Sequence, residues 1–228
     1  KIFWKYITLL TLLVVLGCDD EQYYQGFPMT SKMEVSQQGS DGKENGYDYV
    51  DLGLPSGLKW ATCNVGASKP EEYGEYFAWG ETTPKSSYSW SNLKYCLDSS
   101  GDKFSKYVSS SSHGTVDSKK TLELSDDAAY VNWGGSWRMP TDAEIDELLN
   151  NCTWEWTTQN GVSGYKVTGK KAGYTDKSIF LPAAGCRSDG NLSSAGSDGY
   201  YWSSSLDTDF SRNAYGLDFY SGSHYRDN

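Results

Sequence analysis

Two histidines, His113 and His224, are the first places to look for catalysis or metal binding in this chain of 228 residues. His113 stands in a Ser-rich stretch and His224 in the tail, and neither has ligand or nucleophile partners at motif spacing. Gly-x-Ser-x-Gly, His-Glu-x-x-His and phosphate-binding glycine loops are missing from the sequence. A Ser–His pair would have to be assembled in space from the abundant serines. Four cysteines follow Cys18, namely Cys63, Cys96, Cys152 and Cys186. They allow three disulfide connectivities, and none are spaced as Cys-x-x-Cys, which argues against zinc. An oxidising compartment would permit one or two bridges, while Cys152 reads equally well as a small buried thiol. Carboxylates are plentiful, but hydrolysis of a glycoside needs two at a fixed separation, and that separation is not written in a sequence. Asp189-Gly190-Asn191 and Asp198-Gly199 could sit in a calcium loop, yet neither matches the twelve-residue pattern. The expectation is therefore a protein with no cofactor, no metal and no catalytic residues.

The stretch Leu206–Asn228 carries a different chemistry. Ala214, Leu217 and Phe219 are spaced as core anchors, and Asp, Ser, Asn, Tyr, Arg and His stand densely between them. Tyr and Arg supply recognition energy at interfaces, and Ser, Asn and Gly adapt their hydrogen bonds to a partner. Asp207, Asp209, Phe210, Arg212, Asn213, Tyr220, His224, Tyr225 and Arg226 are the candidate ligand contacts.

Something rigid must hold those residues out. The clearest helix runs through Trp137–Cys152. Thr141 and Glu144 have the spacing of a capping box, and acidic residues crowd the positive end of the helix dipole. Ile145, Leu148, Leu149 and Cys152 fall on one apolar face. A second short helix is expected at 125–130, capped by Ser125. Strand candidates are Tyr47–Leu54, Leu58–Val65, Glu75–Trp79, Trp154–Thr157, Tyr165–Thr168, Ser178–Leu181, Tyr200–Ser204 and Ala214–Phe219, joined by Gly and Asn turns. Residues 84–113 are loop-like, and Ser109–Ser112 is of low complexity. Aromatic residues make up 15% of the chain, with 9 Trp and 18 Tyr, so large rings rather than aliphatic layers must fill the core. The pattern predicts an α+β domain of short twisted antiparallel strands, one or two short helices and long Gly/Ser-rich loops, not a helix bundle.

The formal charge of −10 repels phosphate backbones, so nucleic acid is not an expected partner. Lys1 and Lys5 precede an apolar run at 7–16 that is shorter than the ~20 residues a membrane-spanning helix needs. The run reads as a secretory signal over residues 1–18. Val15-Leu16-Gly17-Cys18 resembles a lipobox, which would make Cys18 a lipid-attachment site; an ordinary signal with an incidental Cys is the alternative. The following Asp19-Asp20-Glu21 is similar to the export tag of Bacteroidota surface lipoproteins, which implies the outer face of an outer membrane. The absence of an initiator Met leads us to expect a slightly clipped start. Residues 19–46 are polar and rich in Gly, Ser and Gln, and read as a flexible tether ahead of a domain at 47–228.

Several blocks taken together carry a family resemblance. They are Asp51-Leu52-Gly53-Leu54-Pro55-Ser56-Gly57-Leu58-Lys59-Trp60-Ala61, Asn64-Val65-Gly66-Ala67, Tyr76-Phe77-Ala78-Trp79-Gly80-Glu81, Trp137-Arg138-Met139-Pro140-Thr141, Leu181-Pro182-Ala183-Ala184-Gly185 and Tyr201-Trp202-Ser203-Ser204-Ser205. In this order they resemble the Fibrobacter succinogenes major paralogous domain family over about residues 47–220. The resemblance implies a C-type-lectin-like fold, related to that of formylglycine-generating enzymes, and a surface protein with no assigned reaction. It also implies a final Val-Arg-Pro-like strand paired near the N-terminal strand. The sequence stops at Asn228 without one, so a truncated C-terminus is expected. The cysteine pair of formylglycine-generating enzymes is not matched, since Cys186 alone lies in that part of the domain. The Glu-Pro-Asn and Trp-Asn-Asp sugar triplets of calcium-dependent lectins are absent too. The tail is similar to the variable region of retroelement-diversified proteins with lectin-like folds.

The expected function is a surface-anchored, non-catalytic ligand-binding or adhesion module. Its partners would be a protein or glycan ligand at the cell surface and the membrane through its lipid. The rivals are an extracellular glycan-active enzyme and a structural pilus or cell-envelope subunit.

Overall fold

The computed structural model describes residues 39–210 and 212–228, together with short strands at 25–26 and 29–30. The strands are β1 (Gln25–Gly26), β2 (Met29–Thr30), β3 (Gly42–Glu44), β4 (Tyr47–Asp51), β5 (Lys59–Ala61), β6 (Cys152–Gln159), β7 (Val162–Gly169), β8 (Ser178–Pro182), β9 (Cys186–Ser188), β10 (Asn191–Ser193), β11 (Asp198–Leu206), β12 (Ala214–Tyr220) and β13 (Ser223–Asp227). Two helices, Ala128–Trp133 and Asp142–Asn151, lie between β5 and β6. The class is thus α+β: small, mostly antiparallel sheets and two short helices.

Hairpin turns set the local order. Asn45-Gly46, Asn160-Gly161 and Asp189-Gly190 each join two strands through a two-residue loop, and all six residues have positive φ. That backbone matches the right-handed twist of the strands, and Asn-Gly or Asp-Gly adopts it at low cost. Asp189-Gly190 is therefore the turn of the β9–β10 hairpin rather than a calcium loop. Among the described residues, no group of three or more His, Cys, Asp or Glu side chains is placed to hold a metal ion.

Two four-stranded sheets, ordered β2-β5-β4-β3 and β1-β11-β12-β13, each separate two aromatic cores. In β11, Tyr200 and Trp202 point to one core and Tyr201 to the other. In β4 and β5, Tyr49 and Ala61 join the first core, and Val50 and Trp60 the second. This follows from the two-residue period of a strand, with both faces buried. Gly199 makes room on β11, because a Cβ there would come within 2.1 Å of the Phe219 ring.

The Asp142–Asn151 helix begins as its capping box predicts. Glu144 N donates to Thr141 Oγ1 at 3.3 Å, and Thr141 N donates to Glu144 Oε2 at 2.7 Å. Its Ile145 and Leu148 are fully buried in the second core beside Tyr201, Leu217 and Phe219. Leu149 packs at the margin, and Cys152 ends the helix and opens β6.

Three expectations change. Glu75–Trp79 is not a strand. Tyr76, Phe77 and Ala78 are buried in sequence, and their anchoring comes from side chains. Tyr76 OH donates to Ala184 O at 2.5 Å, Trp79 Nε1 to Ser203 O at 2.9 Å, and Trp202 Nε1 to Phe77 O at 3.2 Å. The cap of the first helix is Asp127, not Ser125, which lies in a single 3-10 turn at Leu124–Asp126. The Asp127 carboxylate reaches both Tyr130 N and Met139 N at 2.9 Å, so it ties the two helical segments together. Finally, paired structure begins before Tyr47: β3 pairs with β4, β2 with β5, and β1 runs parallel to β11, all within the segment expected as tether. The Asn45-Gly46 turn is the physical reason for the β3–β4 pairing. Cys18 and the rest of the expected signal lie outside the described residues. Among the described residues, no helix is long and apolar enough to cross a membrane.

Candidate functional site

The candidate contacts sit on β12, β13 and the loop before them, and the fold divides them. The loop end lies beside Ala214 and the turn beyond Tyr220 closes the other end of β12. At the rise of an extended strand, those ends are about 20 Å apart. Asp209, Phe210, Arg212 and Asn213 occupy the first end and Tyr220 the second, so they do not form one patch.

The loop end is built from the inside. Asp207 is fully buried rather than presented to a ligand. Its Oδ1 accepts from Asp209 N at 2.8 Å and Phe210 N at 3.3 Å, and Tyr215 OH lies 3.5 Å away. Its Oδ2 accepts from the Asn228 side chain. The loop closes with Asn213 N donating to Phe210 O at 2.8 Å and Asp207 N to Asn213 O at 3.0 Å. Asp207 thus acts as a turn anchor, because a short carboxylate can replace the backbone acceptors that a tight loop lacks.

With its base pinned, the loop holds Phe210 outward at 65% exposure, and Asp209, Arg212 and Asn213 are exposed as well. The Arg212 guanidinium lies 5.4 Å from the Trp90 ring centre and 3.5 Å from both Asp102 Oδ1 and Ser100 O. Ser109 Oγ donates to Thr208 O at 3.2 Å. The 84–113 segment therefore braces the C-terminal loop. Its own contacts include Trp90 edge-on to Phe104 at 6.2 Å and His113 Nδ1 at 2.9 Å from Asp102 O. Trp90, Ser100, Asp102 and Ser109 were not among the expected contacts. The signal for Trp90 was a lone Trp in a polar run; nothing in the sequence points to the other three.

The β13 residues have other work. His224 stacks on Trp154 at 4.7 Å with an 11° interplanar angle, and meets Tyr165 edge-on at 5.2 Å. Burial, with Lys170 nearby, lowers its pKa from the ordinary histidine value. Tyr225 is half-buried on the opposite face beside Asp218, and burial with that carboxylate pushes its hydroxyl pKa up. Arg226 reaches Asp142 at 2.9 Å and Asp146 at 3.5 Å, and its guanidinium covers Tyr215 at 4.8 Å. It clamps β13 to the N-terminal turn of the Asp142–Asn151 helix. Side chains of an edge strand that face the body are taken up by packing, which the polar sequence of the tail concealed.

A hydrolytic pair would need two carboxyls facing each other, at least one with a raised pKa. Burial raises the pKa of the Asp127 and Asp227 carboxyls. Asp127 caps a helix, and Asp227 ends an edge strand on the same sheet face as the buried Asp218. Cys63, Cys96 and Cys152 carry free thiols, which removes every pairing among the four cysteines after Cys18. Comparison with known proteins gives no match to any family model, any curated protein or any solved structure.

Proposed function

We propose that the chain is a surface-anchored, non-catalytic ligand-binding or adhesion module on a C-type-lectin-like scaffold, tethered by a lipid at Cys18. Its contact surface is the loop of Asp209, Phe210, Arg212 and Asn213, extended by Trp90 from the neighbouring segment. The observation that carries this reading is Phe210, 65% exposed on a loop whose base is fixed by the fully buried Asp207. Holding a large apolar ring in water is unfavourable unless a partner covers it, and an Arg on a Trp beside it is interface chemistry. A protein or glycan at the cell surface is the partner class.

The test is a glycan and protein array probed with the intact chain, with and without calcium. The Phe210→Ala/Arg212→Ala double variant should lose at least tenfold in affinity, about 1.4 kcal/mol, with its melting temperature unchanged. Equal binding by the variant and the parent rejects the assignment.

A further inference from the structure

A second feature of the surface lies on the outward face of the β6-β7-β8 sheet and shares no residue with the C-terminal loop. It is a cavity of about 180 Å³. Enclosed drug-sized sites run to roughly 300–1,000 Å³, so this one has room for a single ring-sized group. The strand period explains which side chains meet there. Lys166 and Phe180 are register partners, and Ser178 lies two residues from Phe180, so all three project to the same face. Gly164 lets the Phe180 ring lie across β7, since a Cβ there would come 2.8 Å from Phe180 Cζ and 2.2 Å from Leu181 O. Thr62, Pro70 and Gln159 line it further, with Gly39 and Ile179.

Some polar groups of this wall are already engaged and others are not: Thr62 Oγ1 donates to Asp48 O at 3.4 Å, which leaves its oxygen able to accept. Gln159 Nε2 donates to Glu71 at 3.3 Å, and Asn160 Nδ2 donates to the same carboxylate at 2.7 Å. The Gln159 side-chain oxygen is thereby turned away from Glu71. Ser178 Oγ makes no hydrogen bond among the described residues. Lys166 is exposed and makes no ion pair among the described residues, although Glu155 is its register partner across β6–β7. An ammonium without an ion pair beside the Ser178 hydroxyl, the Thr62 oxygen, an amide oxygen and the edge of the Phe180 ring has a definite complement.

We propose that this cavity binds one acidic pyranose ring, a hexuronate. Its carboxylate pairs with Lys166, its hydroxyls bond Thr62, Ser178 and the Gln159 amide, and its C–H face rests on Phe180. A charge-assisted bond to Lys166 sets the preference for the acid over the neutral sugar. A phosphate ligand fits less well, because one lysine without an arginine fork or a row of backbone N–H groups supplies too few donors.

Glucuronate, galacturonate, glucose and galactose should be titrated into the intact chain by calorimetry and by amide NMR. The uronates should bind at least about tenfold more tightly than the hexoses, the size expected from one hydrogen bond to a charged group. Shifts should centre on Gln159, Lys166 and Ser178. Lys166→Gln should erase the preference, while Lys170→Gln should keep it. Phe210→Ala/Arg212→Ala should leave uronate binding unchanged, so failure of the loop assignment and failure of this site are distinguishable. Equal binding of acid and neutral sugars, shifts centred elsewhere, or no binding at all overturns the proposal.

Discussion

Asp207 and Asp126 show how single buried carboxylates organise the surface of this protein. Asp207 accepts from the backbone of the loop it starts and from the side chain of Asn228. Asp207→Ala should cost about 1–3 kcal/mol, because the buried donors lose their acceptor. It should lower the melting temperature by about 2–4 °C per kcal/mol and weaken ligand binding with it. An unchanged melting temperature would show that the loop holds its shape without this anchor. Asp126 is buried among Lys94 Nζ at 2.7 Å, Lys106 Nζ at 2.5 Å, Tyr95 OH at 2.7 Å and Tyr107 OH at 2.6 Å. Burial opposes its charge, but the hydrogen bonds from Lys106, Lys94 and the two tyrosines hold its carboxyl well below the usual range. A depressed folded-state value means that the unfolded chain binds the proton more readily. The stabilisation is therefore complete above the unfolded carboxyl value near 3.9 and is lost as the pH falls towards the folded one. Asp126→Asn should cost about 3 kcal/mol near neutrality. In urea melts taken across acid pH, its stability should fall less steeply below about pH 4 than that of the parent. Identical slopes would remove Asp126 from the acid response.

At the scale of elements, the Asp142–Asn151 helix was legible because its signals are local. Thr141 and Glu144 needed only their spacing, and Ile145 and Leu148 needed only the helical period. Thr141→Ala should destabilise by about 1 kcal/mol in denaturant unfolding. Glu144→Ala should cost more, since the same carboxylate also holds Arg138 at 2.6 and 2.8 Å. Equal losses would mean that the Arg138 pair contributes nothing beyond the cap. The Asn45-Gly46 hairpin was equally local but lay in a segment read as tether on composition. Glu75–Trp79 failed for the opposite reason. Its apolar run resembles a strand, yet its backbone is placed by Tyr and Trp side chains reaching across the molecule.

For the whole molecule, the two cores share their strands. β11 and β4 contribute alternate side chains to each, so neither core can open without disturbing the other. Leu217→Ala in the second core should cost about 2–5 kcal/mol and still give a single unfolding transition by fluorescence and circular dichroism. Two separable transitions would show that the cores fold independently.

The sequence by itself determined the class, the capped helix, most of the strands and the polar character of the C-terminal stretch. Each of these rests on spacing along the chain, which sterics and hydrogen bonding read locally. The tertiary structure alone decided which polar residues face water. It turned Asp207, His224 and Tyr225 inward as anchor, stack and sheet-face residues, engaged the exposed Arg226 as a surface clamp, and brought Trp90 beside Arg212. Burial and contact depend on what another part of the chain lays against a residue, and that part can be distant in sequence: Trp90 stands 122 positions from Arg212, and Phe77 stands 125 from Trp202.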